Sequence, residues 1–305
     1  MLSTVQVNKL HSFTGHRDSV YALQPGDEAN LFFSAAGDGM VVLWDLQNPG
    51  DGDLVAKLPN SVYSLHHLAD KKLLVAGQNF SGIHLIDYQN KKEVASLQLT
   101  SAYIFDIQSF KNDLVIAAGD GTVTIVDREK WVVKKRVLSS DKSARAIAIN
   151  PVTGEVAVGF SDHAIRVFSL DDYTLKQEIK AHHNSVFAVN YSPDGNYLFS
   201  GGRDARLKVW GVKSRYALEN EVAAHLYAIN HLTFSPDGSY FASASMDKSI
   251  KVWSTADVKL LKVIDKGRHA GHGTSVNKLL WTSFNNQLVS ASDDRTISAW
   301  DLLFL

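Results

Sequence analysis

A serine, a histidine and an aspartate are the side chains from which an activated nucleophile is built, the imidazole taking the serine proton while the carboxylate holds the ring. The stretch 243–254, SASMDKSIKVWS, supplies Ser243 and Asp247, and His225 stands a short way upstream. HAGH at 269–272 offers a second chemistry, since His269 and His272 resemble a metal-binding pair by spacing. The glycine-containing turns GDGTV at 119–123 and GGRDA at 201–205 raise a third, phosphate binding.

Catalytic groups are needed once per site, whereas architectural groups recur in register. Four sets share one arithmetic: His16, Ser34, Asp38 and Trp44; His182, Ser200, Asp204 and Trp210; His225, Ser243, Asp247 and Trp253; His272, Ser290, Asp294 and Trp300. In each, His lies 28, Ser 10 and Asp 6 residues before Trp. The recurrence points to a structural network in which Trp donates its indole N–H, Ser donates and accepts, and His bridges towards an Asp that also accepts backbone N–H groups. His272 belongs to one of these sets, so no metal site is assigned and no cofactor is implied. The glycine turns lie between strand patterns and not before a helix, which removes the phosphate-loop reading.

The elements that must position these residues repeat as well. Seven short alternating strands end at Trp44, Ile86, Val126, Phe168, Trp210, Trp253 and Trp300, at intervals of 42, 40, 42, 42, 43 and 47. Periods of this size indicate propeller blades or a solenoid. Each unit has a second strand ahead of the turn, such as LFFSAA or LFSGG, and a third before that, such as SVYAL or SVFAV. SPDG at 192–195 and 235–238 is β-turn chemistry, and no helical period is sustained, so the chain reads as all-β with four short strands per unit.

With TGH at 14–16, SPDG twice, strands that run from an Asp turn to Trp, and WD at 44–45 and 300–301, the chain resembles the WD-repeat β-propellers from about residue 5 to its C-terminus. The resemblance implies a seven-bladed propeller of four-stranded antiparallel blades in one domain, 1–305, with the four sets above as intra-blade tetrads. Blade two departs from the pattern, with Phe80 where Asp is expected and Ala76 in place of Ser; blades three and four keep Asp120 and Asp162 without the matching His, Ser and Trp. Those blades are expected to rest more on apolar packing. VQVNKLHSF at 5–13 has no blade of its own and is expected to complete the seventh beside residues 296–301.

Lys+Arg 31 balance Asp+Glu 32, cysteine is absent, and no signal peptide or apolar membrane span is apparent, so the expectation is a soluble, cytoplasmic protein, monomeric on its own, with neither nucleic acid nor membrane as partner. Function is sought where the repeats differ. In the resembled family one face, the top, carries the loops before the innermost strands and the Asp turns, around the channel. There the sequence places Tyr21, Tyr63, Phe105, Arg145, Phe187, Asn230 and Asn277 near the starts of inner strands, and Arg203, Met246 and Asp293 beside Asp positions. Aromatic residues, arginines and a methionine on one rim suit a protein or peptide partner held by a non-enzymatic scaffold. Two alternatives stand beside this: the aromatics tilt between blades and pack, or the channel mouth is an enzyme or small-molecule site. His66, His67 and His231 on inner strands read as packing or channel-lining residues, and the loop DKGRHAGHG is expected on the same face.

Overall fold

Runs of β-branched, aromatic and small residues broken by turn residues give seven four-stranded antiparallel sheets in the computed structural model, which describes residues 5–304. Residues 1–4 and 305 of the expected domain 1–305 lie outside the described residues. Blade one is Val20–Pro25, Leu31–Ala36, Met40–Asp45 and Asp53–Lys57, hydrogen-bonded in chain order. Blades two to six repeat that order from innermost strands Val62–Leu68, Ile104–Phe110, Ala144–Asn150, Val186–Tyr191 and Ile229–Phe234. Each innermost strand lies against those of the blades before and after it, and Val276–Trp281 of blade seven lies against Val20–Pro25, which closes a ring.

Burial follows position in the blade. The second strands, such as Leu31–Ala36 and Glu155–Phe160, are buried almost end to end because both sheet faces are covered by neighbouring blades, and they accordingly read as apolar or small residues throughout. Outermost strands such as Leu175–Lys180 are largely exposed and charged, which protects the open edge from pairing with another chain. Neighbouring blades are also tied by tyrosine hydroxyls donating to carboxylates: Tyr88 to Asp27, Tyr173 to Asp113 at 2.8 Å and Tyr216 to Glu155 at 2.7 Å.

The N-terminal strand closes the ring as expected. Val5–Phe13 pairs antiparallel with Ile297–Phe304, with Val5 opposite Phe304 and Phe13 opposite Ile297, around an irregularity between Lys9 and His11. Phe13 is buried against Phe32 and Trp44 of blade one at ring distances of 5.3 and 5.4 Å, so the strand joins the first blade to the last.

The four tetrads are assembled side chain by side chain. His Nδ1 lies 2.8 to 3.2 Å from the Asp carboxylate and His Nε2 2.7 to 2.9 Å from Ser Oγ. Trp Nε1 donates to the same Oγ at 2.7 to 2.9 Å. A neutral imidazole protonated on Nδ1 completes this chain, with the Ser hydroxyl donating to Nε2. The Asp also accepts backbone N–H groups, Asp38 those of Arg17 and Met40, so it pins the loop before the inner strand to the turn before the third. Although the Ser, His and Asp have triad geometry, Ser34, Ser200, Ser243 and Ser290 are fully buried, which keeps substrate from the nucleophile. Blades three and four retain a reduced version: the Thr100 hydroxyl donates to Asp120 at 2.6 Å and the Ser140 hydroxyl to Asp162 at 2.7 Å, where Arg166 adds a second donor. Blade two has none; Ala76 and Ile86 there belong to an apolar cluster shared with blade one.

Three outcomes follow from closure and the tetrads. Deleting residues 1–13 should expose the Ile297–Phe304 edge and remove Phe13, giving aggregation or loss of cooperative unfolding by size exclusion and thermal melts; a soluble truncation that melts like wild type would contradict the closure. Asp247→Ala strands buried donors and should lower unfolding free energy by about 1 to 3 kcal/mol, with no esterase activity in either form; wild-type hydrolysis abolished by Ser243→Ala at unchanged stability would contradict a structural role. Burial lowers the pKa of His16 and His225, a shift their Asp partners oppose without reversing. Burial alone would raise the Asp247 carboxyl, but the hydrogen bonds from His225 and Ser249 outweigh it and hold the group well below the usual carboxylate range. Groups with depressed folded pKa values stabilise the fold above their unfolded values, so the urea midpoint should be flat from about pH 7 to about 9, fall as pH drops below about 6.5, and fall further below about 4. A midpoint constant from pH 7 to about 4.5 would contradict neutral, desolvated histidines.

Candidate functional site

Antiparallel order within a blade puts the start of the first strand, the second-to-third turn and the end of the fourth at one end. The loops entering the inner strands and the Asp turns therefore share a face, the top, and the first-to-second and third-to-fourth turns share the other. In every blade a backbone hydrogen bond joins the top-face elements, as from Arg203 N to Ser185 O at 2.8 Å, Met246 N to Ala228 O at 3.0 Å and Asp293 N to Ser275 O at 3.1 Å.

The second residue of each innermost strand lies at a register break. The breaks fall between Val20 and Ala22, Val62 and Ser64, Ile104 and Asp106, Ala144 and Ala146, Val186 and Ala188, Ile229 and His231, and Val276 and Lys278. A bulge leaves its extra residue unpaired and re-aims the side chain. Here the extra residues are Tyr21, Tyr63, Phe105, Arg145, Phe187, Asn230 and Asn277, all half-buried and all lining a cavity of ≈580 Å³ at the channel mouth.

They divide by what they touch. Tyr21 and Tyr63 meet at 4.3 Å between ring centroids, and Tyr103 stacks on Tyr63 at 5.7 Å and on Phe105 at 5.6 Å. The Arg145 guanidinium lies 3.7 Å from the Phe105 ring and 4.7 Å from the Phe187 ring. Burial pulls its pKa down to about 10, which leaves it charged at neutral pH. Burial together with Tyr21 pushes the Tyr63 hydroxyl up to about 12, so it stays neutral. Asn230 donates to Ser275 Oγ and Val276 O, and Asn277 to Val20 O and Asp293 Oδ1, so these amides tie blade six to seven and seven to one. Arg203 and Met246 are exposed, while Asp293 is half-buried under Asn277.

Sequence reasoning missed several top-face residues. Tyr103 is 41% exposed at the edge of the aromatic row; Leu226 and Tyr227, beside Met246, are 84% and 64% exposed. All three sit in loops before inner strands, one to three residues from positions that could be read in register. Phe80, noted only as a missing Asp, is 50% exposed and packs on Tyr103 at 4.9 Å. Its φ of +65° is a left-handed conformation uncommon for an aromatic residue, which holds the ring out over the top face. Within DKGRHAGHG a single helical turn, Lys266–His269, precedes His272, whose ring nitrogens face Asp294 and Ser290 and are not free to pair with His269 on a metal. On the inner strands, His66 Nε2 is 2.7 Å from Ser109 Oγ, His67 faces Asp27, and His231 accepts from Leu279 N.

The WD domain, G-beta repeat family matches residues 7–45, 173–211, 218–254 and 264–301, half of the chain. Each of those segments holds one complete tetrad, running from the outermost strand of one blade through the third strand of the next. WD repeat-containing protein SL1-17 of Schistosoma mansoni is 23% identical over 256 residues, covering 67% of this chain and 83% of that protein. Protein groucho of Drosophila melanogaster is 23% identical over 67% of this chain, and Striatin-3 of Rattus norvegicus 24% over 65%; the chain spans only 28% and 27% of their lengths. With seven closed blades and these repeats in register, the chain belongs to the WD-repeat family.

Proposed function

We propose that this chain is a non-enzymatic platform whose top face holds a protein or peptide partner. WD-repeat propellers are in general protein-interaction scaffolds. The observation that carries the reading for this chain is the apolar surface left uncovered on that face: Phe80 and Tyr103 on one side of the mouth, Leu226, Tyr227 and Met246 on the other. Tyr21, Tyr63, Phe105, Arg145 and Phe187 form the floor between them, with Arg203 at the rim. Asn230, Asn277 and Asp293 contribute by fixing the rim's shape. Aromatic rings have few rotors and lose little entropy on contact, so they are suited to carry most of the affinity.

The cavity and its polar lining favour a second reading, a small-molecule or catalytic site at the mouth. Against catalysis, Asp106 on the wall accepts from Ile107 N and Ile147 N, and His231 accepts from Leu279 N, with its pKa driven well down by burial. Neither is free to act as a general base beside Arg145.

Immobilised wild type should retain a partner from the native lysate that is lost with Tyr63→Ala/Phe187→Ala/Arg203→Ala and kept with the opposite-face changes Asp194→Ala/Asp237→Ala; the reverse pattern would move the functional surface to the other face. Phe80→Gly should leave stability within about 1 kcal/mol of wild type, since relief of left-handed strain offsets glycine's entropy. With the purified partner, the same change or Tyr103→Ala should weaken binding by about 2 kcal/mol.

A further inference from the structure

We infer that the channel mouth takes a carboxylate of an acidic peptide segment, received on the edge of the Arg145 guanidinium; this rests on the top face being the partner-binding face. Four other arginines have acidic partners: Arg128 has Asp70, Arg166 has Asp162 and Glu178, Arg206 has Glu221 and Arg268 has Asp265; Arg17, Arg136, Arg203, Arg215 and Arg295 lack one but are exposed to water, whereas Arg145 is half-buried. Among the described residues no carboxylate lies against Arg145, whose surroundings are burial and the Tyr63 hydroxyl. A half-buried cation without a partner is costly, and the cost is recovered when an anion arrives. The guanidinium lies over the Phe105 and Phe187 rings and, among the described residues, its N–H groups meet no hydrogen-bond acceptor, so the planar fork is left for a carboxylate, which it matches in two parallel hydrogen bonds.

The rest of the mouth agrees in charge and in shape. Lys278 lines the same cavity. The carboxylate of Asp106, also on the wall, is held by backbone N–H groups at 2.9 and 2.8 Å and does not neutralise Arg145. Although the chain carries a formal net charge of only −1, this pocket is locally positive and walled by aromatic residues. An aspartate, a glutamate or a free C-terminus flanked by an apolar side chain fits it.

The probe is a genetically encoded random peptide library with free C-termini, selected on the immobilised full chain, followed by calorimetry with synthetic copies of the enriched peptides. Enriched sequences should share an acidic residue, or a C-terminal requirement, beside an apolar one. Exchanging that residue for its amide should weaken binding to the wild-type protein about tenfold or more, and C-terminal amidation should do the same only if the terminus is the source. Arg145→Leu, which keeps an apolar side chain against the rings, should bind acid and amide versions alike; the peptide exchange uses wild-type protein, so the test does not depend on that variant folding. Peptides that lose affinity with Tyr63→Ala or Phe105→Ala yet show no dependence on a carboxylate would overturn the inference and leave the top-face reading standing. If no enriched peptide responds to any top-face substitution, both fall.

Discussion

A sheet that is apolar on both faces cannot exist singly in water, and each blade of this protein is such a sheet. Its second strand is buried from end to end, so every blade needs a neighbour on each side, and seven of them meet that need only by closing into a ring. Closure therefore governs the rest. It explains why the strand Val5–Phe13 is drawn across to the last blade, why Phe13 reaches into the first, and why tyrosine hydroxyls, Asn277 and Asp106 bind across blade boundaries. A ring closed this way is stiff, and it holds the channel mouth in one shape.

The tetrads and the mouth are divided among the blades. Complete His, Ser, Asp and Trp networks hold blades one, five, six and seven. Phe80, Tyr63, Tyr103, Phe105 and Arg145, which form one contiguous aromatic row with its guanidinium, come from blades two, three and four, where that network is absent or reduced to a hydroxyl and a carboxylate. Phe80 stands in the place of a tetrad aspartate and adopts strained backbone to do so. Departures from a repeat's own rule that coincide with exposed aromatic surface are where a scaffold is expected to carry function.

Much of this was legible from spacing. Register arithmetic located the tetrads and the seven blades, and because the bulge recurs at the second residue of every inner strand, it also located the seven side chains turned into the mouth. Loops do not keep register, so Tyr103, Leu226 and Tyr227 carried no positional signal. Roles set by the adjacent blade were hidden as well. Nothing near Asn277 in sequence shows that its amide will meet Val20 O, and nothing near Arg145 shows that Phe105 and Phe187 will enclose it. Thr100 and Ser140 escaped notice because a hydroxyl in place of histidine leaves only half of the pattern.

We propose that blade-to-blade agreement builds a scaffold while the residues of the top face that differ from blade to blade meet the partner. Site-specific photo-crosslinking in the native host tests it most directly, with a photoreactive phenylalanine at Tyr103 on the top face and, for comparison, at Tyr197, which is similarly exposed on the opposite face. Position 103 should give discrete adducts and position 197 none. Adducts from 197 alone would contradict it.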